Sequence, residues 1–156
     1  MKIKMLVMDV DGTLTDGRIY IGAGGEVVKA FDVRDGYGIK HILPRYGIIP
    51  VIITGRQSAI VERRCAELDI TELHQGVADK LGKLKETAEK HGIPAGEIAY
   101  IGDDVNDIPC MEYAGLSACP ADAASAAMAA ADYVCRCAGG RSAVREFIEY
   151  ITENKE

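Results

Sequence analysis

The residues best suited to chemistry stand near the N-terminus. Asp9 and Asp11 lie two apart at the end of the apolar run Met5-Leu6-Val7-Met8 and lead into Gly12 and Thr13. Side chains two apart in extended backbone point to the same side, so both carboxylates can face one small volume. Gly12 lets the chain turn away there without a Cβ penalty. Two like charges a few ångströms apart repel, so the pair holds only if a cation, a proton or both intervene. Alone, Asp-x-Asp-Gly is also ordinary turn chemistry at a strand end; its place after a fully apolar run singles it out. Three further sites follow the same logic. Thr54 ends the apolar run Ile48–Ile53, Lys80 opens a helical stretch, and Asp103, Asp104 and Asp107 crowd Gly102-Asp103-Asp104-Val105-Asn106-Asp107. Each has a plain reading: Thr54 as a turn residue, Lys80 as a surface lysine, the acids as helix caps. Three acids in five residues overshoot what capping needs.

The elements that must position these residues alternate along the chain. Strands are expected at Met5–Met8, Ile48–Ile53, Glu72–His74, Ile98–Ile101, Leu116–Cys119 and Tyr133–Cys135. Helices are expected from about Ser58 to Leu68, from Lys80 to about Gly92, to about Ala114, near Asp122–Ala131 and from about Ser142. Between the first two strands, Gly17–Val33 reads as a β-hairpin, with arms Arg18–Ile21 and Glu26–Val33 around Gly22-Ala23-Gly24-Gly25. A helix then carries Ile39, Ile42, Leu43 and Tyr46, with Asp35 as its expected N-cap and Gly47 past its end. Pro44 predicts a kink or an early ending. Strand–helix alternation at this spacing argues an α/β fold: a doubly wound, mostly parallel sheet with helices on both faces. In such sheets ligands bind beyond the carboxyl ends of the strands, where Asp9, Asp11, Thr54 and Asp103 would converge.

Composition sets bounds. At 156 residues and 48% apolar, residues 1–156 are expected to form one domain with a sizeable core. The net charge is −6 and the basic residues form no block, which does not favour nucleic acid as a partner. No apolar run approaches the roughly 18 residues of a membrane span, and no signal-peptide pattern opens the chain. A cytoplasmic protein is expected. The five cysteines, Cys65, Cys110, Cys119, Cys135 and Cys137, form no C-x-x-C pair, so ordinary thiols are expected rather than disulfides or zinc ligands.

The stretch Asp9–Thr13 resembles the first motif of the haloacid dehalogenase-like phosphohydrolases, and Thr54, Lys80 and Gly102–Asp107 match the other three in order. The resemblance implies Asp9 as a nucleophile toward phosphorus and Asp11 as general acid/base. It implies Thr54 and Lys80 on the phosphate, and Mg²⁺ held by Asp9, Asp103 and the backbone carbonyl of Asp11. Asp104 and Asp107 would support that site without touching the ion. The chemistry suits the residue types: a carboxylate can accept a phosphoryl group, a neighbouring carboxyl can move the protons, and Mg²⁺ suits oxygen ligands. Neither usual insertion point holds more than a hairpin, which points to the subgroup without a cap domain. Phe31-x-Val33-Arg34-Asp35-Gly36, Thr54-Gly55-Arg56, Arg63-Arg64 and Gly139-Gly140-x-x-Ala143-x-Arg145-Glu146 are similar to the 3-deoxy-D-manno-octulosonate 8-phosphate phosphatase family. That family usually has glycine where this chain has Ser142.

This second resemblance implies a sugar-acid phosphate substrate contacted by Asp11, Asp32, Val33, Arg34, Asp35, Gly36, Thr54, Gly55, Arg56, Arg64 and Lys80. It also implies a homotetramer with active sites shared between chains, and a place in lipopolysaccharide biosynthesis. A nonulosonate 9-phosphate phosphatase is the nearest rival. A phospho-receiver domain would need an acid ending the third strand, where this chain has His74-Gln75-Gly76. A non-catalytic oligomerisation module has no need of the mutually repelling acids.

Overall fold

The apolar run that opens the chain lies in the middle of the sheet. The computed structural model describes residues 2–153. In chain order the elements are β1 (Met5–Met8), β2 (Tyr20–Gly22), β3 (Gly25–Val28), α1 (Val33–Tyr37), β4 (Ile49–Ile53) and α2 (Ala59–Glu67). They continue as β5 (Glu72–His74), α3 (Lys80–His91), β6 (Ile98–Ile101), α4 (Ile108–Tyr113), β7 (Leu116–Cys119), α5 (Ser125–Ala130), β8 (Tyr133–Val134) and α6 (Ala143–Glu153). One sheet runs β5-β4-β1-β6-β7-β8, with every neighbouring pair parallel. The order reverses direction at β1, which makes the crevice between β1 and β6 the switch point where such sheets bind ligands.

β1 is buried on both sides, and its alternation splits the core in two. Leu6 and Met8 join Ile39 from the turn after α1, Val61 and Cys65 of α2, and Phe147 and Ile148 of α6. Met5 and Val7 face Leu84, Ala88, Met111 and Ala127 of α3, α4 and α5. A strand whose odd and even residues both meet helices must be apolar throughout, which is why this run shows no polar alternation. Met8 lies level with Ile52 and Ile101, so Asp9 leaves the sheet beside the ends of β4 and β6.

Three segments depart from the sequence reading. The helix after the hairpin is capped by Asp32, whose carboxylate accepts the N–H groups of Arg34 (2.6 Å) and Asp35 (3.2 Å). Asp35, the expected cap, lies inside the first turn and is buried. Beyond α1 the turns widen into a π turn over Gly38–Ile42 and tighten into a 3₁₀ turn over Leu43–Tyr46, ending at Gly47 in the left-handed conformation. Pro44 lacks an N–H and would press its ring on the carbonyl four residues back, so regular α geometry cannot run through it. The hairpin is shorter than expected, because the second arm leaves β structure after Val28. α5 also starts late: Asp122 accepts the N–H of Gly139 instead of entering the helix. The cysteines are free thiols, and no described helix is long and apolar enough to cross a membrane.

Candidate active site

A tight turn follows β1 and sets the site. The carbonyl of Val10 accepts N–H groups from Thr13, Leu14 and Thr15 at 3.1, 2.9 and 3.1 Å, and the Thr15 hydroxyl accepts those of Gly12 and Gly17. Gly12 has φ +87°, and a Cβ built there would lie 1.9 Å from Asp103 Oδ2, so only glycine lets the acid approach. Gly139 packs as closely from behind: its Cβ would meet the Gly12 carbonyl at 2.0 Å. The glycine pair before α6 thus braces the Asp9–Thr13 turn of its own chain, and Gly140 donates to the Thr13 carbonyl at 3.1 Å.

Behind the turn lies a buried charge network. Asp107 is fully buried; its Oδ1 accepts from Lys80 Nζ (2.9 Å) and the Tyr100 hydroxyl (2.5 Å), its Oδ2 from the backbone N–H of Asp103 (3.0 Å) and Asp104 (3.2 Å). Lys80 Nζ also lies 3.0 Å from Asp9 Oδ1, so one ammonium joins the ends of β1 and β6. Burial works against its charge, but Asp9 and Asp107 outweigh burial and hold its pKa above the ordinary value. Burial, and then the Asp107 charge, raise the pKa of Asp9. Burial, and then contact with Asp9, push Asp103 up to about 8.

Carboxyl oxygens of Asp9, Asp103 and Asp107 lie within 4.8 Å of one another. Because Lys80, Tyr100 and two backbone amides already occupy both oxygens of Asp107, Asp9 and Asp103 are the acids left to hold a metal. Their resistance to ionising together is the imbalance that a divalent cation with oxygen ligands removes. The donor set fits Mg²⁺.

In front of the turn, Asp11 Oδ1 accepts from Lys29 Nζ at 2.5 Å. The same ammonium lies 3.0 Å from Glu26 Oε2, and Glu26 Oε1 accepts the Ser58 hydroxyl at 2.6 Å. The Ser58 hydrogen bond, foremost, holds the Glu26 carboxyl below its usual pKa. Arg56 stands further off, 4.0 Å from Asp11 Oδ2 and 3.8 Å from Glu26, with its side chain 47% exposed. It is free to turn toward a ligand.

The open cleft between these groups is lined by Asp9, Asp11, Thr54, Gly55, Arg56, Lys80, Asp103, Asp104 and Asn106. The structure therefore brings together the residues expected at the strand ends. It does not bring the Asp32–Gly36 segment or Arg64 to the cleft of their own chain. Asp32 caps α1 and accepts the Ser142 hydroxyl; Asp35 is buried under α6, where it accepts the Arg145 N–H at 2.8 Å. Gly36 is covered by the Arg64 guanidinium. That guanidinium lies over the Phe31 ring, pairs with Glu67 and donates to the Asp32 carbonyl. Val33 is exposed, and Arg34 lines a separate surface cleft with Arg136 and Arg145.

Residues 58–148 match the haloacid dehalogenase-like hydrolase family. The chain belongs to this family. It is 50% identical over 149 residues to the 3-deoxy-D-manno-octulosonate 8-phosphate phosphatase KdsC of Escherichia coli, an alignment that covers 96% of this chain and 79% of that protein. Among solved structures, it is similar to the cobalt-bound octulosonate phosphatase of Haemophilus influenzae, with TM-score 0.94, 39% identity, and 97% and 88% of the two chains covered. It is likewise similar to the Moraxella catarrhalis enzyme in complex with magnesium, phosphate and KDO, with TM-score 0.93, 43% identity, and 97% and 86% covered.

Lys29, Glu26, Ser58, Tyr100 and Asn106 belong to the cleft of this haloacid dehalogenase-like protein or to its networks, and sequence reasoning passed over them. Lys29 had one signal: it is the lone charge between the β-branched Val27-Val28 pair and Ala30-Phe31. Tyr100 reads as one more apolar position of β6, because nothing local says that its hydroxyl will meet Asp107.

Proposed function

We propose that this haloacid dehalogenase-like protein is an Mg²⁺-dependent phosphatase that hydrolyses 3-deoxy-D-manno-octulosonate 8-phosphate to the free sugar acid and phosphate. The observation that carries the reading is the meeting of Asp9, Asp11, Thr54, Lys80 and Asp103 in one cleft with Arg56 at its rim, in a chain half identical to octulosonate phosphatases. Asp9 attacks phosphorus, and the bond from phosphorus to the sugar oxygen breaks as Asp11 gives that oxygen a proton. Water then loses a proton to Asp11 and attacks the aspartyl-phosphate, releasing phosphate and restoring the Asp9 carboxylate. Lys80, 3.0 Å from Asp9, orients the nucleophile and offsets phosphate charge, and Thr54 donates to a phosphate oxygen. Asp9, Asp103 and the Asp11 carbonyl would hold Mg²⁺, which would neutralise charge between an anionic nucleophile and an anionic ester.

Arg56 is the guanidinium fork that would take the sugar-acid carboxylate, a role its position on the cleft lining supports. Residues 1–156 act as one domain, working in the cytoplasm as a homotetramer. Ile19, Tyr20, Ile21, Val27 and Val28 of the hairpin are exposed, and an isolated two-stranded hairpin needs a partner surface. In such an assembly Arg34 and Arg64 would serve a site that includes a neighbouring copy. The test is phosphate release with Mg²⁺ across ulosonate 8-phosphates, nonulosonate 9-phosphates and ordinary sugar phosphates, with Asp9→Asn as control. The octulosonate ester should have the highest kcat/KM, and Asp9→Asn should abolish turnover. A preference for the nonulosonate ester, or Asp9→Asn activity within about tenfold of wild type, overturns the reading.

A further inference from the structure

We propose that Lys29 is the positioning residue for Asp11, and that the hairpin's role in this chain is to deliver it; the inference rests on the phosphatase reading above. The Lys29 side chain is 2% exposed, although lysine is rarely buried without a partner. Its ammonium is clamped between Asp11 Oδ1 at 2.5 Å and Glu26 Oε2 at 3.0 Å. Glu26 is itself anchored on the main fold, since its other oxygen takes the Ser58 hydroxyl at the start of α2, and the Ser58 N–H is held by Gln75 at 2.9 Å. The chain of contacts thus runs from Gln75, just past β5, through the start of α2 and the hairpin to one oxygen of Asp11. Asp11 lines the cleft, and its other oxygen, Oδ2, has Arg56 at a loose 4.0 Å.

This arrangement decides which Asp11 oxygen moves the proton. Proton transfer needs a donor–acceptor distance of about 2.6–3.2 Å, so a carboxyl free to rotate loses most of its effect. With Oδ1 fixed, Oδ2 gives its proton to the departing sugar oxygen and later takes one from the attacking water. Lys29 neither gives nor takes a proton in this scheme. A buried ion pair of this kind adds little net stability over a well-packed apolar replacement, so placement is what it contributes.

A leaving-group contrast tests this. An alkyl phosphate needs its leaving oxygen protonated, whereas p-nitrophenolate departs unaided, and kcat/KM reports only steps up to loss of the alcohol. Lys29→Met should lower kcat/KM for the octulosonate ester about 30- to 100-fold and change that for p-nitrophenyl phosphate by less than about threefold. In an Asp11→Asn background, Lys29→Met should cause no further loss on the alkyl ester. If Lys29→Met fails to fold, Glu26→Gln, which frees one anchor of Lys29, should show the same selectivity at about three- to tenfold. Parallel loss on both substrates, no loss on either, or full additivity with Asp11→Asn overturns the proposal. Any alkyl phosphate the wild type turns over serves equally, so an error in the sugar assignment would leave this test intact.

Discussion

Replacing Asp107 with asparagine keeps the shape of the side chain and changes only what its two ends can do. Both oxygens now face donors: Lys80 and Tyr100 on one side, the amides of Asp103 and Asp104 on the other. An asparagine NH₂ must therefore meet a donor in either flip. Against the two backbone amides it leaves both unpaired, and against Lys80 it meets an ammonium that cannot accept. Each buried donor left without an acceptor costs about 1–3 kcal/mol, and Lys80 also loses one of its two balancing charges. Together these give an expected loss of about 3–5 kcal/mol, the range for breaking a buried pair by removing one partner. For a chain of this size that is a fall in Tm of about 6–20 °C. The assay is urea and thermal unfolding of wild type and Asp107→Asn in chelator, so that metal binding does not mask the difference. A loss under about 1 kcal/mol would mean that the network tolerates donor against donor, and that Asp107 does not hold Asp103 and Lys80 in place.

Three further outcomes follow from single contacts. Gly12→Ala would put a Cβ 1.9 Å from Asp103 Oδ2 at φ +87°; moving Asp103 by about 1 Å should lower activity about 100-fold, while unfolding free energy falls by about 1–2 kcal/mol. Activity within tenfold of wild type would contradict it. Glu72 is held down to about 2, foremost by Lys90, with His91 and His74 adding to it, against an ordinary value of 4.5. Its depressed pKa contributes stability that is full above about pH 4.5 and lost as pH falls through about 2. Glu72→Gln should therefore cost about 2 kcal/mol at pH 7 and progressively less below pH 4.5, read from urea midpoints across pH. A cost that does not change over that window would rule this out. Ser142 has φ +78° and donates to Asp32 Oδ2 at 3.1 Å. Ser142→Ala keeps the strained backbone and loses the bond, so it should be less stable than Ser142→Gly by about 1 kcal/mol; the reverse order in chemical denaturation would refute this.

Much of this protein was legible because its signals are local. The apolar runs of β1, β4 and β6 end abruptly at Asp9, Thr54 and Gly102, and a parallel sheet buried on both faces requires such runs and such stops. Alternation of strands and helices sends those ends to one edge, so the sequence alone groups Asp9, Asp11, Thr54 and Asp103. An early end to regular helix at Pro44 and a stop at Gly47 were equally readable, since backbone chemistry dictates them, whereas the π turn before Pro44 was not.

Tertiary structure decided what depends on residues far apart in the chain. Asp32 rather than Asp35 caps α1, because α6 takes the Asp35 carboxyl for the N–H of Arg145. Asp107 supports Asp103 only because Lys80, from another helix, and Tyr100, from inside β6, meet it behind the sheet edge. Arg64, expected on the ligand, lies over Phe31 and Gly36 and outside the cleft of its own chain. Lys29, to which the sequence reading gives no role, is folded in onto Asp11. A lysine or an arginine carries the same charge and reach wherever it stands, so its sequence neighbours do not specify its partner. The partner is set by which strands and helices pack together, and that is a property of the whole fold.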